Sequence, residues 1–320
     1  MKETDFEQRR MAAWQEFDQM VTAVEKRQTP PGSHELPRRF REVCADLSLA
    51  THRMYRGSTI DRLNALVIRG YKLLYRRRRH AAEGLVRFVG DTFPAAVRAD
   101  ARLFWLCSVL FWLPFFGMLG MAWIDLDWVQ AILGPQGMAS MEQMYGKDSD
   151  SLAAMRDEFG SNFAMFGHYI RNNIGIDFKI FAGGIVAGLG TMFYLVYNGL
   201  AIGSAAGYVS YAGNPTAFWT FVVGHSSFEL IGMVIAGVAG MKLGMAVLRP
   251  GRMTRAKAIG VAAKGALPLI LGAAGMTAIA AVIEGFWSAQ DFPHAVKYAF
   301  GGTMWALHFA YFGLLGRRSA

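Results

Sequence analysis

Between Lys179 and Lys242 the sequence carries a single formal charge, Glu229. Runs of about 18 residues or more without charge have the length of a bilayer crossing, and this run is long enough for two or three. Its scarcity of charge excludes a soluble core there. Cysteine is almost as scarce: Cys44 lies ahead of the apolar region and Cys107 inside it, so no disulfide framework is expected. A cleavable signal peptide is missing too, because the first ten residues are charged and no short apolar core follows them. The first apolar span is therefore expected to serve as the insertion signal. No Ser-His-Asp arrangement, phosphate loop, dinucleotide fingerprint or His-Glu-x-x-His motif is found.

What is present is apolar and glycine-rich: 53% hydrophobic residues, 36 Gly, 23 Phe and 8 Trp in 320 residues. That exceeds the usual soluble composition of about 45–50% apolar. The formal charge of +9 sits mostly in residues 1–102. Basic flanks stay cytoplasmic, so the asymmetry reads as a membrane address and no nucleic-acid partner is expected. The run Arg76, Arg77, Arg78 and Arg79 reads as a contact to an anionic lipid surface or as a topogenic signal.

The fold expected is all-α, a polytopic membrane protein of about six spans behind a cytoplasmic helical segment. In residues 1–102, apolar positions at helical spacing (Phe6, Trp14, Phe17, Val21; Phe40, Val43, Leu47; Leu63, Leu66, Val67) predict three amphipathic helices. Thr29-Pro30-Pro31-Gly32 separates the first two. Such helices form a small bundle that covers its own apolar faces; a membrane-surface helix is the other reading. The transmembrane domain occupies 103–320, with spans at about 103–124, 178–197, 199–213, 216–241, 261–286 and 298–316. Residues 125–177 are rich in acids and form an outer loop, with an amphipathic helix over 138–166. Six crossings place every basic cluster and both termini inside. The segment 199–213 is short for a full crossing, so it is a tilted span or a re-entrant hairpin.

Glycines and alanines repeat at spacing four (Gly184/Gly188, Gly199/Gly203/Gly207, Gly232/Ala236/Gly240/Gly244), a pattern for close helix packing. Homodimerisation through one such ladder is the second reading. Asn198-Gly199 reads as a turn at the end of a span, and Asn172-Asn173 as a cap on the incoming helix.

His225 and Glu229 stand four apart on one helix face. Glu284 lies at a similar depth near the end of the next span. A carboxylate at such depth costs roughly 2.5–3.5 kcal/mol and calls for a partner, a proton or water. Two readings stay open: an ion, proton or metal site, or a hydrogen-bonded clasp between helices. As a metal site it resembles half of a zinc centre, and His168, His294 or His308 could complete it.

The ordered series Tyr169-Ile170-x-Asn172-Asn173, Gly183-Gly184…Gly188-Leu189-Gly190-Thr191, Asn198-Gly199…Gly203, Gly224-His225-x-x-Phe228-Glu229-Leu230 and Ile283-Glu284-Gly285 resembles the stage II sporulation protein M family. The usual proline before the histidine is Gly224 here. Upstream, Asp46-Leu47-Ser48-Leu49-Ala50 and Asp61-Arg62-Leu63-Asn64-x-Leu66-Val67 are similar to the Gram-negative branch. The resemblance marks His225, Glu229, Glu284, Asn172, Asn173 and Asn198 as signature positions without a catalytic role. It implies a bacterial inner-membrane protein, non-enzymatic and without cofactor, acting as scaffold or subunit of a cell-envelope complex. Partners it implies are MoxR-type ATPases, von Willebrand-A proteins and RDD membrane proteins. The alternatives are an ion- or proton-coupled transporter or channel using His225, Glu229 and Glu284, and then an intramembrane metal-dependent hydrolase.

Overall fold

The computed structural model describes residues 3–26, 32–75, 81–147 and 160–316. The Arg76–Arg79 run, the middle of the expected 138–166 helix and the last four residues lie outside the described residues. The described residues are almost entirely helical, and the chain divides into two units, Met1–Glu83 and Gly84–Ala320.

The first unit contains α1 (Glu3–Glu25), α2 (Leu36–His52) and α3 (Gly57–Tyr75). Its core is built from the apolar positions that the spacing singles out: Phe6, Trp14, Phe17 and Val21 meet Phe40, Val43, Leu63 and Leu66. Closure is tight at Gly70, where a Cβ would stand 2.7 Å from the rings of both Phe17 and Phe40. One acid enters this core. Asp46 accepts hydrogen bonds from Trp14 Nε1 and Arg10 Nε, both at 2.8 Å, which satisfies a carboxylate that burial would otherwise penalise. Across the surface Arg69 binds Glu25, Thr22 and Asp18 together.

The second unit begins within α4 (Ala81–Arg87) and continues through α5 (Phe93–Ala99), α6 (Ala101–Met121) and α7 (Leu126–Tyr145, kinked at Gly134). Then follow α8 (Asn162–Ala182), α9 (Leu189–Tyr211), α10 (Pro215–Val222), α11 (Ser226–Leu248), α12 (Arg255–Ile283) and α13 (His294–Leu314). Side-chain oxygens start several of them: Asp125, Ser161, Asn214 and Thr254 each accept a backbone N–H of the first turn. Helix α11 is the hub, buried along most of its length and packed on α12, α8 and α6. Outward-facing residues such as Trp105, Leu113, Phe116, Phe193, Leu271 and Leu307 stay exposed, as expected for surfaces that face lipid.

Among the described residues, three helices are long and apolar enough to cross a membrane: Ala101–Met121, Ser226–Leu248 and Arg255–Ser288. Of the other expected crossings, 178–197 takes in only the end of α8, the break after it and the first half of α9. The crossing 199–213 falls on the remainder of that same α9 and 298–316 on α13, while most of α8 lies in the expected outer loop 125–177. The boundaries also differ from the sequence expectation. The chain does not turn at Asn198-Gly199; α9 runs through it, and the break comes earlier, over 183–188. There Gly188 adopts φ 84°, a left-handed backbone that glycine enters without a Cβ penalty. Gly184 and Gly188 thus belong to a loop rather than a helix ladder. That loop presses on α11, since a Cβ on Gly184 would lie 2.0 Å from Gly240 O. Asn172-Asn173 are inside α8, which Ser161 caps, and not at its start. The expected span 216–241 is likewise interrupted, between Val222 and Ser226.

Candidate intramembrane polar site

Two helix interruptions shape the site. His225 occupies the residue before α11, at the break from α10, and Glu229 follows one turn later. A helix N-terminus favours a carboxylate in its first turn. Opposite, α12 ends in a π-helical turn over Glu284–Ser288, a local widening that aims Glu284 and Ser288 toward the same point.

The imidazole joins the two acids. His225 Nε2 lies 3.9 Å from Glu229 Oε2 and 3.8 Å from Glu284 Oε1. Its other nitrogen, Nδ1, is 3.2 Å from Ser288 Oγ, and Lys297 Nζ donates to Ser288 O at 2.9 Å. His225 and Glu284 are only 4% and 6% exposed. His225 thus draws two acids and a serine together, and Lys297 reaches the backbone of that serine. Glu284 Oε2 is buried without a hydrogen-bond partner. One donor atom from each of His225, Glu229 and Glu284 lies within 4.8 Å of the others, a grouping able to hold a metal ion.

His225, Glu229 and Glu284 also stand in the wall of a cavity of about 1110 Å³. The remainder of the wall is largely aromatic, including Trp112, Phe115, Phe218, Phe221, Trp305 and Phe309. A polar cluster at one side of an apolar chamber is the general form of a small-molecule site.

The other named positions separate from this cluster. His308 lines the cavity but directs Nδ1 to Met304 O and packs edge-on against Phe228. His168 contacts Tyr169, and exposed His294 begins α13; neither belongs to the three-residue group. Asn172 donates to Asn173 Oδ1, and Asn198 Nδ2 to Tyr194 O. Gly184 and Gly240 are apposed at the backbone, and Gly188 faces Met241. Gly224 lies against Trp287, whose ring a Cβ there would meet at 2.8 Å.

One acid escaped the sequence reading. Asp177, assigned to the outer loop, is fully buried on α8, and Thr277 Oγ1 donates to its Oδ2 at 2.5 Å. Its signal was present. Met165, Asn173, Asp177 and Ile180 fall at helical spacing and form the buried stripe of α8.

No solved structure matches the chain. An uncharacterized protein of Methanocaldococcus jannaschii is 31% identical over 100 residues, covering 29% of this chain and 56% of that protein. The chain thus spans about half the length of this curated relative. Residues 4–76 match a family described as a domain of unknown function (DUF8413). The description "Stage II sporulation protein M" matches residues 103–289, which hold His225, Glu229, Glu284 and Asp177 together. With more than half its length in that match, the chain belongs to the stage II sporulation protein M family.

Proposed function

We propose that the protein is a non-enzymatic subunit of a bacterial cell-envelope complex, a scaffold in the inner membrane with both termini cytoplasmic. One observation carries this reading: the chain is divided into a charged helical unit with its own core and a separate membrane unit. A self-cored bundle offers a partner a rigid surface. Its α3 presents Ile68 and Tyr71 outward, one turn apart, amid exposed polar side chains. Partners of the MoxR-type ATPase, von Willebrand-A or RDD class fit such a role.

A photo-crosslinker at position 68 of the full chain, in native membranes, tests it. Recovery of an ATPase or von Willebrand-A protein supports the reading, and its absence across growth conditions removes the reason for the scaffold. Orientation is tested separately by reporter fusions at residues 148, 215, 255 and 290. A reporter at 255 on the outer face would overturn the proposed topology.

The cavity favours a second reading, ion- or proton-coupled transport through His225, Glu229 and Glu284. Reconstituted vesicles distinguish the two. Transport requires a flux that Glu229→Gln abolishes while the melting temperature is unchanged. A clasp requires the opposite: lost stability and no flux to lose.

A further inference from the structure

The scaffold reading leaves the polar cluster of the membrane unit without a task. Two largely buried carboxylates beside one imidazole, set in the wall of an apolar cavity, form an electrostatically expensive group unless a proton or a cation joins them. Among the described residues Lys297 makes no ion pair with either acid; the hydrogen bond its Nζ donates goes to Ser288 O. Geometry narrows the answer. With the two His225–Glu separations at 3.8 and 3.9 Å and all donor atoms within 4.8 Å, a point equidistant from the three lies about 2–2.5 Å from each. Those are the lengths of bonds to a metal ion.

We propose that His225 Nε2, Glu229 and Glu284 bind one divalent transition-metal ion of the zinc class, with a remaining coordination position turned toward the aromatic cavity. The donor set of imidazole and carboxylates suits such an ion better than a hard cation that takes oxygen alone. Ser288 is the positioning residue. By engaging Nδ1 it holds the ring so that Nε2 faces the carboxylates, the usual outer-shell support of a ligating histidine. Glu284 Oε2, buried and unpartnered, gives independent support: it is a lone-pair acceptor beside the same point. The cavity supplies both a path for the ion and room for a further ligand on it. This inference stands apart from the partner-binding role of the N-terminal unit.

The test is metal content of the full chain, purified in detergent after loading with zinc and removal of loosely bound ion. The expected result is about one zinc per chain, falling to background in His225→Ala and Glu284→Gln. Ser288→Ala should weaken binding roughly 10–100-fold without removing it. Far-ultraviolet dichroism checks that each variant is folded. Should the first two fail to fold, His225→Cys loaded with cobalt decides the matter: a thiolate-to-cobalt charge-transfer band must appear that the natural chain, with Cys44 and Cys107, does not show. Zinc at background in the natural chain, zinc retained by folded His225→Ala and Glu284→Gln, or no new cobalt band overturns the site. Each such failure leaves crosslinking of the N-terminal unit unaffected, so the two ideas fall separately.

Discussion

At the scale of the residue, the membrane unit turns on polar atoms that have one partner each. Thr277 Oγ1 is the donor to Asp177, whose other oxygen is buried without one. Thr277→Val keeps the shape and removes the donor, leaving a buried carboxyl unsatisfied. The expected loss is about 1–3 kcal/mol, read as a lower melting temperature in detergent, with Thr277→Ser close to the natural chain. A surface counterpart sits in the helical unit. The hydrogen bond from Arg69 holds the Glu25 carboxyl below its ordinary value. A lowered folded-state value gives stability that is present above the unfolded carboxylate range, near pH ~4.3, and is lost as pH falls through the folded value. Because Glu25 is largely exposed, less than ~1 kcal/mol is at stake. Protection of the α1 and α3 amides, taken relative to their intrinsic exchange rates, should therefore fall below about pH 4, and Arg69→Met should erase that acid-dependent loss. An unchanged acid response in the variant would show that the pair is ornamental to stability.

At the scale of the element, α6 and α9 meet through backbone. A Cβ on Gly199 would stand 2.4 Å from Phe111 O, and one on Gly203 2.3 Å from Phe115 O. Gly203→Ala must force the helices apart, at an expected 1–3 kcal/mol; Gly117→Ala, with open space beside it, is the neutral control. Equal melting temperatures for the two would contradict the contact. These helices also show what the sequence could convey. The spacing of Gly199, Gly203 and Gly207 announced a close-packed stripe, and that is what faces α6. Asn198-Gly199 misled, because the glycine serves contact and the asparagine bonds back to Tyr194 O inside the helix. Tertiary packing overrode turn chemistry there. Glu229 and Glu284 were legible because each is a charge amid apolar residues. Asp177 was passed over although it falls on the helical stripe of Met165, Asn173 and Ile180, because Arg171 and Lys179 beside it made its segment look like an aqueous loop. The widened turn at Glu284–Ser288 has no residue signature of its own, so Ser288 and Lys297 could only be found in three dimensions.

At the scale of the whole molecule, α11 has consequences for biogenesis. Of its apolar window, 72% is buried inside the membrane unit, so little of its surface is designed to touch acyl chains. It also emerges from the ribosome before α12, bearing Glu229 while Glu284 and Ser288 have yet to emerge. Released alone into the bilayer, that carboxyl would face hydrocarbon at roughly 2.5–3.5 kcal/mol. The helix should therefore wait at the insertion machinery and leave it only as a hairpin with α12. Nascent chains stalled so that α11 has left the ribosome while α12 is still inside it are expected to crosslink from α11 to the insertase, and chains long enough to expose both helices to lipid and to α12. Equal lipid crosslinking at both lengths would mean that α11 departs unaccompanied. Synthesis order then becomes part of the fold: a ribosome that halts between these two helices strands the acid at the door of the membrane.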